Sequence, residues 1–284
     1  MTLPPFDLHR ARSVEEAHEL LERFGDDAAV VCGGTELLLL LKLGFAAYGH
    51  LVDVKGIEEL GGIRADNGTL VIGSTATHRE IERSPLVLER LPALAAMERN
   101  VANIRVRNVG TLGGNLCFSD PHSDPATFLL AVDAEVEHDG GRVPLADFLV
   151  GPYQTILRPG QLLRSVHIPA PPPGTGIVHH KIAFRERPAA TVAAAVRVDR
   201  GTIVGASIAV GSVGPRPVRA TAAAELLVGK PADDTEALAG AAALASEAAN
   251  AVEDANGSVE YKEQLVRVLF ERCVAAAVGV SGVD

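Results

Sequence analysis

Apolar and polar positions along the chain follow two different periods, and the changes between them divide the sequence into helices and strands. Amphipathic stretches with capping residues predict helices, as at Ser13, where a Ser-x-x-Glu capping box precedes an apolar face. Short apolar runs between turn residues predict strands, and Asp66-Asn67-Gly68 predicts a hairpin. Helices are predicted over 14–24 and 36–43, from Thr77, from Pro85, from Pro92 to about Val101 and over 125–132; strands are predicted over 28–32, 51–54, 63–65, 69–72 and 134–137.

A proline-rich stretch, Pro169 to Gly176, is the clearest break in composition and is the predicted linker. The elements after it change order, since three strands come first and three helices follow. This order predicts a small α+β domain with a three-stranded antiparallel sheet and a helix bundle. The strands are predicted over Val178 to Arg185, Val192 to Asp199 and Thr202 to Val213, and the helices over Arg219–Val228, Thr235–Asp254 and Tyr261–Val278.

Composition narrows the classes of function. The 284 residues include 47% hydrophobic and 22% charged residues, and the formal net charge is −10. A globular chain with a sizeable core is therefore expected, without the basic surface that nucleic acid or an anionic membrane requires. The three cysteines are widely spaced and form no CxxC pair, and residues 1–12 hold no apolar leader. A reduced, cytoplasmic setting is expected, with no metal site and no membrane-spanning segment.

Two glycine-rich segments are the candidate chemistry. The first glycine segment is Val31-Cys32-Gly33-Gly34-Thr35-Glu36, and the second is Gly110-Thr111-Leu112-Gly113-Gly114-Asn115. Glycines let backbone N–H groups approach phosphate oxygens, and the hydroxyl and amide side chains of Thr35, Thr111 and Asn115 add donors. The first segment also lies between a predicted strand and a helix, where unpaired N–H groups favour an anion. Two such segments indicate a dinucleotide held from two sides, and neither a Rossmann nor a P-loop motif occurs.

Other polar residues near these segments have two interpretations. Glu36 either accepts a hydrogen bond near the ligand or is a first-turn acid that suits the helix dipole. Arg105 and Arg107 either neutralise phosphate or form a solvated charged face. His78 and His122 are acid–base candidates or structural histidines, and Cys32 and Cys117 are most simply small core residues.

The residues Cys-Gly-Gly-Thr-Glu (32–36), Gly-Thr-Leu-Gly-Gly-Asn (110–115) and Ser-Asp-Pro-His-Ser-Asp-Pro (119–125) resemble the FAD-binding medium subunit of molybdenum hydroxylases, the carbon monoxide dehydrogenase and xanthine dehydrogenase family. The resemblance implies an α+β chain with a two-part PCMH-type FAD-binding domain over 1–173, with subdomains of about 1–56 and 57–173. A smaller C-terminal domain of the carbon monoxide dehydrogenase flavoprotein type would follow over 177–284. Residues 162–169 resemble the strand that closes the first domain, and residues 180–185 with 193–196 resemble the start of the second.

The same resemblance implies the cofactor site. Asp124 would bind the polar adenosine side of FAD, and Val101, Leu163 and Lys181 would line or approach the cofactor. A tyrosine commonly lies two places before the Lys181 position in this family, and here that residue is His179. The implied FAD contacts are Val30, Val31, Cys32, Gly33, Gly34, Thr35, Glu36, Leu37, Val101, Gly110, Thr111, Leu112, Gly113, Gly114, Asn115, Asp124, Leu163 and Lys181.

The function implied is that of an oxidoreductase subunit that transfers electrons and needs no catalytic residue of its own at the substrate. Molybdopterin on a large subunit and [2Fe-2S] clusters on a small subunit would complete the complex, a dimer of heterotrimers. FAD on this chain would pass electrons to an external acceptor. The alternatives are a single-chain FAD-dependent oxidoreductase with its own substrate pocket and a cofactor-free α+β interaction module.

Overall fold

The computed structural model describes residues 2–184 and 187–281. The strands are β1 (Asp7–Arg10), β2 (Ala28–Val31), β3 (His50–Asp53), β4 (Ile63–Asp66), β5 (Thr69–Gly73), β6 (Glu135–His138), β7 (Gly141–Pro144), β8 (Leu149–Gly151), β9 (Gln154–Thr155), β10 (Leu163–Pro169), β11 (Thr175–Ala183), β12 (Pro188–Asp199), β13 (Thr202–Gly211) and β14 (Val218–Arg219). The helices are α1 (Val14–Phe24), α2 (Leu37–Leu43), α3 (His78–Arg83), α4 (Pro85–Arg90), α5 (Pro92–Glu98), α6 (Ile104–Arg107), α7 (Leu112–Phe118), α8 (Asp124–Ala131), α9 (Leu145–Phe148), α10 (Thr221–Leu227), α11 (Thr235–Ala248) and α12 (Val259–Val280).

The chain divides into two compact units that do not follow the order of the sequence strictly. Unit one contains the residues up to 118 together with 135–143 and 155–167. Unit two contains 119–134, 144–154 and the residues from 168 onward. Unit two therefore takes α8, α9 and the short strand β8 from the part of the chain before residue 168.

Unit one contains two sheets. The first is parallel, with the order β1-β3-β2, and its core includes apolar residues of α1 and β3. The second has the order β4-β5-β10-β6-β7, and β4 and β5 form the hairpin predicted at 66–68. The predicted caps also form, because Ser13 accepts a hydrogen bond from the N–H of Glu16 and Thr77 forms a complete capping box with Glu80. Local sequence signals thus place most elements of this unit.

The elements of unit one that were not predicted include β1, α6 and α7. Strand β1 is a short, mostly polar strand, so its sequence has no apolar run to announce it. Helix α7 begins inside the second glycine segment, which is therefore helical from Leu112 rather than a turn throughout. A β-carbon on Gly113 would stand 2.5 Å from the carbonyl oxygen of Ser74, so close packing explains why a helix contains glycine here.

Unit two contains the C-terminal antiparallel sheet, with the order β11-β12-β13-β14. The predicted three-stranded sheet is wrong by one strand, since β14 pairs with β13 at the position where a helix was predicted to start. A two-residue strand is too short to show alternation, so the sequence could not reveal it. Helix α12 packs on β11 and β12, α10 packs on β13, and α11 packs on both of these helices. Arg185, the predicted end of the first strand, and residues 282–284 of the predicted domain lie outside the described residues.

Candidate functional site

The first glycine segment connects β2 to α2. Gly34 has a φ of +69°, a left-handed conformation that favours glycine, and Gly44 with a φ of +75° ends α2 as predicted. Within the described part of the chain, the backbone N–H groups of Gly33, Gly34 and Thr35 donate to no protein acceptor. The segment therefore offers consecutive unused donors, which suit an anionic group.

The second glycine segment lies directly against the first. A β-carbon on Gly33 would overlap the carbonyl oxygen of Val109 and stand 2.7 Å from the Cα of Gly110. Burial raises the pKa of the Cys32 thiol, and the Thr111 side chain opposes this shift. The two glycine segments thus form one continuous backbone surface.

The N–H groups of the second segment are largely used inside the protein. Leu112 donates to the carbonyl of Ala76 at 3.0 Å, Gly113 to that of Ser74 at 3.0 Å, and Gly114 to the hydroxyl of Thr111 at 3.1 Å. The N–H groups of Gly113 and Gly114 thus have acceptors within the protein, and the assignment of these two glycines to the cofactor stays a prediction. These bonds fix the position of the segment, and the unused donors lie in the first segment.

Apolar surface flanks the first glycine segment. Val30 is 38% exposed immediately before it, and Leu39, Leu43 and Phe45 are exposed on and after α2. An exposed apolar surface beside unused N–H donors matches a ligand that has both an anionic linker and a flat apolar ring. FAD has both features, so the residues present fit this cofactor.

Arg107 is committed to the protein rather than to a ligand. Its Nη1 atom donates to the carbonyl of Val101 at 2.9 Å, and its Nε atom lies 3.4 Å from the buried Glu82. Arg79 donates to both carboxylate oxygens of Glu82 at 2.8 Å. Although burial would raise the pKa of Glu82, the hydrogen bonds and charges of these arginines lower it. Of the two arginines considered as phosphate partners, only Arg105 has an exposed side chain.

Val101 and Leu163, two further predicted cofactor contacts in unit one, are buried. Val101 is held through the contact of its carbonyl with Arg107, and Leu163 is the first residue of β10. Neither side chain is exposed enough to form a large contact surface of its own. Their assignment to the cofactor stays a prediction.

Asp124 and Lys181 form an ion pair in unit two. Lys181 Nζ donates to Asp124 Oδ2 at 2.6 Å, and the Nε2 atom of His179 lies 3.5 Å from Asp124 Oδ1. Burial, with the nearby charges of Lys181 and His180, lowers the pKa of His179 to about 3. His179 is therefore a neutral imidazole with a buried side chain.

The two histidines considered as acid–base groups both have carboxylate partners. His78 Nδ1 donates to Glu98 Oε2 at 2.7 Å in unit one, and His122 Nδ1 lies 3.1 Å from Asp120 Oδ1 in unit two. Sequence reasoning missed Glu98, whose partner His78 is 20 positions away, and Glu82, which contacts the distant Arg107 as well as the nearby Arg79. The signal was present in α5, where a glutamate occupies a position on the buried face of a short apolar helix.

The described residues contain no cluster of three or more histidine, cysteine, aspartate or glutamate side chains that could hold a metal ion. None of the helices in the described ranges is both long and apolar enough to cross a membrane.

Comparison with known proteins is consistent along the whole chain. Residues 4–171 match the model of the FAD binding domain in molybdopterin dehydrogenase, and residues 181–277 match that of the CO dehydrogenase flavoprotein C-terminal domain. The carbon monoxide dehydrogenase medium chain of Hydrogenophaga pseudoflava is 35% identical over 98% of both chains. The xanthine dehydrogenase FAD-binding subunit of Escherichia coli O157:H7 is 30% identical over 96% of both chains.

A solved structure gives the same result for the fold. The carbon monoxide dehydrogenase of Hydrogenophaga pseudoflava that lacks the Mo-pyranopterin moiety of its molybdenum cofactor matches with a TM-score of 0.95 and 35% identity, over 99% of this chain and 100% of that chain. The predicted α+β fold class, the family resemblance and FAD as the family's cofactor are therefore confirmed. The chain belongs to the family of FAD-binding medium subunits of molybdenum hydroxylases, the oxidoreductase family of carbon monoxide dehydrogenase and xanthine dehydrogenase.

Proposed function

We propose that this chain is the electron-transfer subunit of a multi-subunit molybdenum hydroxylase. It accepts electrons from an iron–sulfur subunit and passes them through FAD to an external acceptor. The observation that carries the proposal is the direct contact of the two glycine segments beside the unused N–H groups of Gly33, Gly34 and Thr35. Relatives that match over nearly their full length are themselves named as subunits or chains of dehydrogenases.

The residues of this chain bind and orient the cofactor. The N–H groups of the first segment hold the diphosphate, the second segment fixes the first in place, and the apolar residues around α2 contact the ring. FAD supplies the redox chemistry when bound, and the protein supplies its position and electrostatic surroundings. Val101, Leu163, Asp124 and Lys181 are proposed as further contacts, on the family resemblance alone.

The organisation of the complex is part of the proposal. The FAD-binding domain covers 1–173, with subdomains of about 1–56 and 57–173, and the C-terminal domain covers 177–284. The partners are a large molybdopterin subunit and a small subunit with [2Fe-2S] clusters, assembled as a cytoplasmic dimer of heterotrimers. The cysteines, free in this structure, suit a reducing compartment.

Two measurements test the proposal. Full-length chain stripped of flavin is titrated with FAD, and quenching of flavin fluorescence followed by bleaching with dithionite is expected. Affinity purification from the native cell is then expected to recover the large and small partner subunits. A chain that takes up no FAD would contradict the proposal, and so would a FAD-loaded chain that oxidises a substrate by itself, as the single-chain alternative predicts.

A further inference from the structure

A buried histidine–glutamate pair lies behind the second glycine segment. Glu98, the last residue of α5, is 0% exposed, and His78, the first residue of α3, is 2% exposed. The Nδ1 atom of His78 donates to Glu98 Oε2 at 2.7 Å. Neither residue is among those assigned to the cofactor, and neither reaches solvent, so the pair acts only through what it contacts.

His78 contacts the second glycine segment in two ways. Its backbone N–H donates to the carbonyl of Gly110 at 3.0 Å. Its ring carbon Cδ2 would lie 3.3 Å from a β-carbon on Gly110. Because Gly110 in turn lies against Gly33, the contacts form a continuous series from Glu98 through His78 and Gly110 to the unused donors of the first segment.

The hydrogen bond to Glu98 determines which edge of the imidazole faces Gly110. Nδ1 and Cδ2 are on opposite edges of the ring, so the bond at Nδ1 directs the carbon edge toward the glycine. Rotation of the ring by half a turn would break the bond and direct a polar nitrogen at Gly110 instead. The rotation state of the His78 side chain therefore determines whether a carbon or a nitrogen of the ring faces Gly110.

Stabilisation of the fold does not by itself explain the buried His78–Glu98 pair. Glu98 Oε1 is buried and has no hydrogen-bond partner among the described residues. A buried carboxylate with an unmatched oxygen destabilises the fold, and apolar side chains of similar volume often replace buried ionic pairs without loss. What the glutamate adds over an apolar residue is the fixed orientation of His78.

We propose that Glu98 and His78 are positioning residues that hold Gly110 against Gly33 and thereby set the affinity of the chain for FAD. This inference rests on the proposed function, because it assigns the contact between the glycine segments to flavin binding. It adds a mechanism for that contact from residues outside the binding surface.

The test compares variants of the full-length chain by FAD titration and by thermal unfolding without FAD. Glu98→Leu removes the acceptor, and its Kd for FAD is expected to rise by about tenfold or more. Glu98→Gln keeps an acceptor for Nδ1, so affinity close to that of the unchanged chain is expected. Glu137→Leu is the control, since the partly exposed Glu137 also forms a hydrogen bond with a buried histidine of unit one, His167, at 2.9 Å. Its FAD affinity is expected to stay unchanged.

Each outcome decides the inference. Equal FAD affinity of Glu98→Leu and the unchanged chain would overturn it, and so would a loss in Glu137→Leu as large as in Glu98→Leu. If Glu98→Leu does not fold, His78→Asn replaces it: this variant keeps the backbone N–H and an amide near the Nδ1 position but removes the ring edge. Tight FAD binding by His78→Asn would also overturn the inference. An unchanged chain that binds no FAD contradicts the proposed function, and the inference fails with it.

Discussion

Lys181 donates a hydrogen bond of 2.6 Å to Asp124, and this bond joins β11 to the first residue of α8 within unit two. The Asp124 side chain is 5% exposed and that of Lys181 is 19% exposed. Removal of one partner from a buried ion pair leaves the other charge without its counterion in a poorly solvated place. The pair therefore contributes to the stability of unit two whether or not it also contacts a cofactor.

We expect Lys181→Met to lower the free energy of unfolding of the FAD-free chain by about 3 kcal/mol. Urea unfolding followed by circular dichroism measures this change. Lys230→Met removes an exposed lysine of the same unit and is expected to change the stability by less than about 0.5 kcal/mol. Equal stabilities of the two variants would show that the Asp124–Lys181 bond contributes nothing.

Gly33→Ala tests the contact between the glycine segments. The new β-carbon would overlap the carbonyl of Val109 and stand 2.7 Å from the Cα of Gly110, so the segments must move apart. FAD affinity is expected to fall by about tenfold or more, measured by flavin fluorescence. Gly56→Ala is the control, because a β-carbon at Gly56 meets no atom within 4 Å. An unchanged FAD affinity of the Gly33→Ala variant would show that flavin binding does not depend on the contact between the glycine segments.

Much of the fold follows from local sequence signals, and the parts that do not are set by distant contacts. The caps at Ser13, Thr77 and Ser84 and the hairpin at 66–68 form as predicted, because each depends on residues within four positions. The strands β1 and β14 are short and are defined by pairing, β1 with the distant residues 50–53 and β14 with Ala209 and Val210 of the preceding strand. Local patterns hold no information on such pairing.

In the candidate site, too, some features follow from the local sequence and others depend on distant contacts. The glycine segments were recognisable from composition, and their packing at Gly33 and Gly110 agrees with that interpretation. The occupied N–H of Gly113 and the bond between His78 and Glu98 depend on chain segments 20 or more positions away. The residue type at a position indicates which interactions are possible there, whereas the tertiary fold determines which partner that residue contacts.

His179 predicts an acid-sensitive stability. Its pKa is about 3 in the folded chain, because of burial and the neighbouring charges, against an ordinary value of 6.5. Between these two pKa values the unfolded chain binds a proton that the folded chain does not. The contribution of His179 to the free energy of unfolding is therefore fully present above pH 6.5 and is lost as the pH falls through this window. The slope expected from this residue is about 1.4 kcal/mol per pH unit.

Unfolding free energies measured from pH 7 to pH 5 check this prediction. His179→Gln has no group that titrates at this position and is expected to lose less stability on acidification than the unchanged chain. His180→Gln, at the adjacent position of β11, is the control and should keep the steep dependence on pH. Identical pH profiles for His179→Gln and the unchanged chain would mean that the pKa of His179 is the same in the folded and the unfolded chain, which would contradict the lowered pKa.

The three cysteines are expected to react with iodoacetamide at very different rates. Alkylation needs the thiolate, and burial raises the pKa of Cys117 and of Cys273 to about 12. Cys32, whose pKa is raised less, is half-buried in the first glycine segment, so it should be alkylated first in the folded chain. All three should react in denaturant, and mass spectrometry of peptides distinguishes them.

If FAD lies on the first segment, saturating FAD should slow the alkylation of Cys32 and leave the rates at the other two cysteines unchanged. Equal rates of alkylation at Cys32 with and without FAD would place the cofactor away from this segment. In the comparison without FAD, alkylation of Cys273 as fast as that of Cys32 would contradict the packing described for α12.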